Sequence, residues 1–157
     1  MAVDYLAWAD RNWGLLTRLM GGHGKLYRAT GGLIGQHVPG LPEMCLLDHV
    51  GAKSGIKRTT PLVFARETRT SDPLGSNIVL IASKGGYPKN PAWYHNLKAN
   101  PDTTVQIGPK SIDVRAREAT PEEYERLWAL AVEVYRGYEA YRRRTERKIP
   151  LMVLEPR

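Results

Sequence analysis

"IVLIASKGGYPKNPAWYHNLKANPDTTVQI", residues 78–107, reads as strand, turn, helix and strand in succession. Residues 78–83 are a continuous apolar run of β-branched character, which suits a strand buried on both faces. Ser83, Lys84, Gly85 and Gly86 break the run, a helix is predicted over 91–99, and Pro101 stops it before extended structure resumes at 103–107. The two glycines let backbone approach a ligand closely, and Lys84 can meet an anion. The helix beginning near Pro91 turns its N–H groups towards whatever precedes it, with Trp93 available to wall a flat ring.

Outward from this stretch the texture stays β-rich. "MCLLDHV" (44–50), the turn "GAKSG" (51–55) and "RTTPLVFAR" (58–66) read as a hairpin, and "ETRTSDPLGSN" (67–77) as a long polar loop. "SIDVRARE" (111–118) alternates, with Ile112, Val114 and Ala116 on one face and Asp113, Arg115 and Arg117 on the other. Thr120, Pro121 and Glu123 form a helix start, and apolar residues recur at helical spacing from Tyr124 to Tyr138. "IPLMVLE" (149–155) closes the chain as a strand. Short strands linked by hairpins and interrupted by helices predict a mainly β, α+β fold: a small antiparallel barrel with helices on its outside.

Residues 4–20 are expected to form an amphipathic helix, and the glycine-rich 21–35 a loop with a short helical piece. Residues 1–40 thus make an N-terminal helical segment, peripheral to a barrel domain over 41–157. The helix has two readings: packed on the barrel, or lying at a membrane interface through Trp8, Trp13, Leu15 and Leu16 with Arg11 and Arg18.

The 157 residues suffice for one core, and the lone Cys45 excludes an internal disulfide. No basic-then-apolar leader and no membrane-spanning run occur, so a cytoplasmic location is expected. The formal net charge of +7 favours an anionic partner. His23, His37, His49 and His95 show no metal-ligand spacing, and no metal is expected. Ser-His-Asp catalysis has no nucleophile elbow to support it.

Three groups of residues remain as candidates. The basic turn with Lys53, Ser54, Lys57 and Arg58 offers N–H groups, a hydroxyl and cations suited to phosphate, or is a solvated hairpin. Tyr135, Tyr138 and Tyr141 recur every third residue and either line a pocket for a planar acceptor or pack in the core. Arg142, Arg143, Arg144, Arg147 and Lys148 are a solvated face or a surface for nucleic acid or acidic membrane, although no nucleic-acid recognition motif accompanies them.

In order, "GAKSGIKRTTPL" (51–62), "ASKGGYPKNPAWYHNLKANPDTTVQIG" (82–108), "VYRGYEAY" (134–141) and "RKIPLMVLE" (147–155) resemble the deazaflavin-dependent nitroreductase family of actinobacteria. The resemblance implies a split β-barrel of the flavin-reductase and pyridoxamine-phosphate-oxidase type. It implies coenzyme F420 as cofactor, with hydride transfer from its reduced form to a quinone-like acceptor such as a menaquinone, or to a nitroaromatic compound. Lys53, Ser54, Gly55, Arg58 and Thr60 would then hold the phosphate end. Ser83, Lys84, Gly85, Gly86, Pro91, Ala92 and Trp93 would border the ring, with Ser83 as ring-side serine. Tyr135, Tyr138 and Tyr141 would form the acceptor site, with Tyr138 as proton donor. Ala52 stands where the family commonly carries arginine, and the loop 67–77 looks longer than usual. Two other functions stay open: a deazaflavin-binding carrier without turnover, and a flavin mononucleotide reductase on the same barrel.

Overall fold

The computed structural model describes residues 11–68 and 76–157; Trp8, the start of the expected first helix and most of the long polar loop lie outside them. Helix α1 (Trp13–Ala29) precedes strands β1 (Met44–Val50), β2 (Lys57–Glu67) and β3 (Asn77–Ile81). A 3-10 turn (Lys84–Gly86), helix α2 (Ala92–Ala99), and strands β4 (Asp102–Ile107) and β5 (Lys110–Glu118) follow. Helices α3 (Pro121–Val134) and α4 (Gly137–Arg144) then lead to β6 (Leu151–Pro156). The strands close into an antiparallel barrel in the order β1-β2-β3-β6-β5-β4, with β4 returning to β1, which is the barrel expected from the short hairpin-linked strands.

The missing alternation in β3 has a direct cause. Ile78 and Leu80 point into the barrel with Leu47, Phe64, Val114 and Leu154, where Trp93 and Leu97 of α2 join them. Val79 and Ile81 point outward, but Leu127, Trp128 and Ala131 of α3 cover them, so all five residues of β3 are buried. β6 is built likewise, with Met152 and Leu154 inward and Leu151 and Val153 beneath α3. β5 lacks such a cover and keeps the alternation.

Two helix expectations are corrected. α1 does not end before Gly21; it continues through Gly21, Gly22 and Gly24 to Ala29. Interior glycines cost a helix about 1 kcal/mol each relative to alanine, and tertiary docking offsets this. Gly24 comes to Leu46, and the fully buried Tyr27 donates its hydroxyl to Met44 O at 2.9 Å while accepting Gly108 N–H at 2.8 Å. The helix expected to run on to Tyr138 instead breaks at Tyr135, whose backbone is extended at φ −146°, ψ 105°, before α4 begins.

The barrel splits along one seam. β2 pairs with β1 from Lys57 to Val63, yet pairs with β3 only from Phe64 onward. On the side away from β1, residues 58–63 therefore present an edge with no strand beside it among the described residues, and there Pro61, lacking an N–H, is tolerated.

Candidate functional site

A cavity of about 680 Å3 fills the seam between β2 and the segment that follows β3. Arg58, Thr60 and Leu62 line it from β2; Ser83, Lys84, Gly85, Pro91, Ala92 and Trp93 from the other side; Tyr135, Tyr138 and Tyr141 from beyond α3. Met20 and Gly21 of α1 and Leu41 also border it. The structure thus brings most of the sequence-predicted residues onto one surface. Lys53, Ser54 and Gly55 are not on that lining; they sit exposed on the β1–β2 turn, where Gly55 takes φ +68° and Ser54 Oγ accepts Ile56 N–H at 3.2 Å. Gly86 is also off the lining, since it is buried against α4, where a Cβ would stand 2.8 Å from Tyr141 O.

The tyrosines converge because the helix breaks. A Cβ at position 137 would lie 2.3 Å from Tyr135 Cζ, so Gly137 leaves room for that ring to fold back over α4. The Tyr135 and Tyr138 rings meet edge to face with centroids 5.1 Å apart, and Tyr141 lies 6.0 Å from the first and 6.1 Å from the second. Tyr138 is 5% exposed, and among the described residues its hydroxyl has no hydrogen-bond partner. Burial, then the neighbouring Tyr141 and Tyr135, push its phenol pKa well above the ordinary value, so it stays protonated. The hydroxyl of Ser83, a residue on the same cavity, likewise has no partner among the described residues.

Two residues of the site carry no local signal in the sequence. His49, 4% exposed on β1, places Nε2 2.9 Å from Thr60 Oγ1 and Nδ1 2.9 Å from Asn96 Nδ2. An amide nitrogen only donates, so Nδ1 accepts, the proton resides on Nε2, and Thr60 Oγ1 receives it. Asn96 Oδ1 in turn accepts Ala52 N–H at 2.9 Å, which ties the basic turn to α2. Burial, then the charge of Arg58, lower the His49 pKa and keep the imidazole neutral. Only the register of β1 against β2 and the docking of α2 bring these three side chains together.

The basic cluster is not a uniform solvated face. Arg142 lies over the Trp128 ring at 4.6 Å and Lys148 over Tyr124 at 4.1 Å, while Arg144 donates to Gly85 O at 2.9 Å. Cations gather instead along a second cavity of about 920 Å3, lined by Lys25, Arg28, Lys57 and Arg58, which shares Gly21, His49, Arg58 and Thr59 with the first. Arg28 is paired there with Asp48 at 2.6 Å. A flat apolar wall, two cavity-lining hydroxyls without a partner among the described residues and an adjoining cationic groove suit a planar polar ring bearing an anionic appendage. No group of three or more His, Cys, Asp and Glu side chains among the described residues could hold a metal ion.

Comparison with known proteins agrees with this chemistry. The model of the F420H(2)-dependent quinone reductase family matches residues 19–156. An F420H(2)-dependent quinone reductase of Mycobacterium tuberculosis is 42% identical, the match covering 99% of this chain and 100% of the relative. The structure of an F420-H2 dependent reductase (FDR-A) superposes with a TM-score of 0.62 at 44% identity, covering 71% of this chain and 93% of its own. A second structure, described as a domain-swapped dimer, gives a TM-score of 0.64 at 38% identity over 94% of this chain and 98% of its own. The chain belongs to the F420H(2)-dependent quinone reductase family.

Proposed function

We propose that this chain oxidises reduced coenzyme F420 and reduces a quinone-like acceptor, with nitroaromatic compounds as adventitious acceptors. The observation that carries this reading is the pair of hydroxyls of Ser83 and Tyr138, which line one cavity beside Trp93 and have no hydrogen-bond partner among the described residues. Hydroxyls that open onto a cavity with no protein partner can bond the polar ring atoms of a ligand seated there.

Pro91, Ala92, Trp93 and Gly85 would border the ring, with Ser83 and Lys84 meeting its polar edge. Arg58 and Thr60, with Lys53, Ser54 and Gly55 of the adjoining turn, would take the phosphate end, and the second cavity would receive further negative charge. When bound, the reduced cofactor supplies a hydride, so a quinone becoming a hydroquinone requires one further proton. Tyr138 holds that proton in place: its phenol is kept un-ionised by burial and has no competing partner among the described residues. Tyr135 and Tyr141 fix the ring beside it and exclude water.

The test is anaerobic addition of a menaquinone analogue to the protein with reduced F420, following recovery of the oxidised deazaflavin absorbance. Acceptor-dependent recovery supports the reductase. Binding without turnover indicates a carrier, and preference for flavin mononucleotide indicates a flavin enzyme on the same barrel.

The division into an N-terminal segment, residues 1–40, and a cofactor-binding barrel, residues 41–157, accompanies this reading, with Met20 and Gly21 of the first part completing the cavity. The same segment would hold the protein to the inner face of the cell membrane, close to a lipid-soluble acceptor. Among the described residues no helix is long and apolar enough to cross a membrane. Leu15, Leu19 and Leu26 share one face of α1 and are each more than half exposed, as are Leu33 and Ile34 beyond it, with Arg18 and Lys25 alongside the stripe. Cosedimentation with anionic vesicles, lost in Leu15→Glu/Leu19→Glu, supports the contact; a dimer that the same changes dissociate means that a second copy covers the face instead.

A further inference from the structure

Arg147 lies between α4 and β6, outside any helix or strand, and its side chain is wholly engaged with the segment between β3 and α2. Nε donates to Tyr87 O at 2.8 Å and Nη1 to Asn90 Oδ1 at 2.8 Å. Nη2 donates to Ser83 O at 2.8 Å and to Ala82 O at 3.2 Å. Its partners thus span 82–90, the stretch that carries Ser83, Lys84 and Gly85 to the cavity.

That stretch needs an external brace. Beyond Ile81, among the described residues, it pairs with no neighbouring strand, and within the stretch only the Ser83 and Lys84 carbonyls accept turn bonds, from Gly86 and Tyr87 N–H. It also runs through three successive residues at positive φ: Lys84 at 45°, Gly85 at 62° and Gly86 at 78°. A left-handed lysine is strained and persists only where its surroundings impose it. Arg144 adds its bond to Gly85 O, and Gly86 packs on the Tyr141 backbone, so the brace also sets the distance between the serine side and the tyrosine side of the cavity. No carboxylate lies within ion-pair reach of Arg147 among the described residues; carbonyl and amide oxygens alone compensate its charge.

Building on the reading of the cavity as the F420 site, we propose that Arg147 is a positioning residue: it clamps residues 82–90 in the conformation that presents Ser83 and Lys84 to the cofactor. It touches no reacting atom and lies outside the cavity lining. A planar fork with five donors serves several carbonyls at once, which lysine does not reproduce.

The test combines amide hydrogen exchange of the cofactor-free protein with fluorescence titration by oxidised F420. The Gly86 and Tyr87 amides, bonded to Ser83 O at 2.9 Å and Lys84 O at 3.1 Å, report on the turn; the amides of β3 report on the barrel. In Arg147→Met the turn amides are expected to exchange faster while β3 is unchanged, and F420 affinity to fall about tenfold as the competent loop conformation becomes a minor population. Arg147→Lys should recover part of both effects. Unchanged turn exchange together with unchanged affinity overturns the proposal. Should Arg147→Met not fold, Asn90→Ala removes one of the four bonds and decides: smaller shifts in the same direction support the clamp, and none overturns it. A wild-type chain that binds no F420 overturns the cofactor reading, whereas the exchange experiment, performed without cofactor, still judges the clamp.

Discussion

The hydroxyl oxygens of Tyr135 and Tyr141 lie 3.2 Å apart, while Tyr138, packed against both rings, makes no hydrogen bond through its hydroxyl among the described residues. The first two phenols engage each other, and the third faces the cavity, where the proposed reading gives it to the ligand. Tyr138→Phe is therefore expected to lower acceptor-dependent turnover by about a hundredfold, the usual weight of a positioned acid, with F420 binding retained. Single-turnover oxidation of the reduced cofactor measures this; an unchanged rate would mean that the proton comes from solvent.

Gly137→Ala probes the same cluster without touching a hydroxyl. The added methyl would meet the Tyr135 ring at 2.3 Å, and a side chain yields more readily than backbone. Folding stability should change by less than about 1 kcal/mol, while the KM for a menaquinone analogue rises and the Kd for F420 stays constant. Equal effects on both would show that Tyr135 belongs to the cofactor site.

His49 predicts an acid weakness. Its folded pKa is lowered from 6.5, so the unfolded chain takes up the proton first as pH falls. The stability from the neutral imidazole is complete above about pH 6.5 and is lost below it as pH approaches the folded value. Protonation would also set a donor at Nδ1 against Asn96 Nδ2, loosening the link to Ala52. The thermal midpoint should drop as the pH is taken below 6.5 in the wild type and drop less in His49→Gln.

Glu123 acts lower on the scale. It receives Arg117 Nη1 at 2.9 Å and Nη2 at 3.1 Å, and Thr120 N–H at 3.1 Å at the start of α3. The bonds from Arg117, foremost, hold its pKa down at about 2 against 4.5 unperturbed. Its contribution is present above pH 4.5 and lost as pH falls towards 2. Glu123→Gln should be less stable than wild type at pH 7, and urea titrations should show the gap closing as the pH approaches 2.

Tyr27→Phe removes a hydroxyl that both donates and accepts in the interior, leaving Met44 O and Gly108 N–H short of that partner. A loss of about 1 to 3 kcal/mol in urea unfolding is expected. A smaller loss would show that water replaces the phenol between α1 and the barrel.

What the sequence determined by itself was local. The continuous apolar run at 78–83, the alternation of 112–116, the turn at 51–55 and the start of α3 at Thr120 each follow from neighbours within a few residues, and each element stands within about two residues of its reading. The order of the basic turn, glycine turn and tyrosine segment also announced the family. Tertiary structure alone decided that α1 runs on through Gly21, Gly22 and Gly24, because Tyr27 and Gly24 dock on strands distant in the chain. It also decided that three tyrosines spaced to fan around a helix converge, because the helix breaks at Tyr135. The His49 network and the Arg147 clamp belong to the same class: His49 and Asn96 stand 47 positions apart, Arg147 and Ser83 stand 64 apart. Periodicity records which face of an element is buried, but a side chain's hydrogen-bond partner is set by the barrel's register and closure, and these depend on the packing of the whole chain.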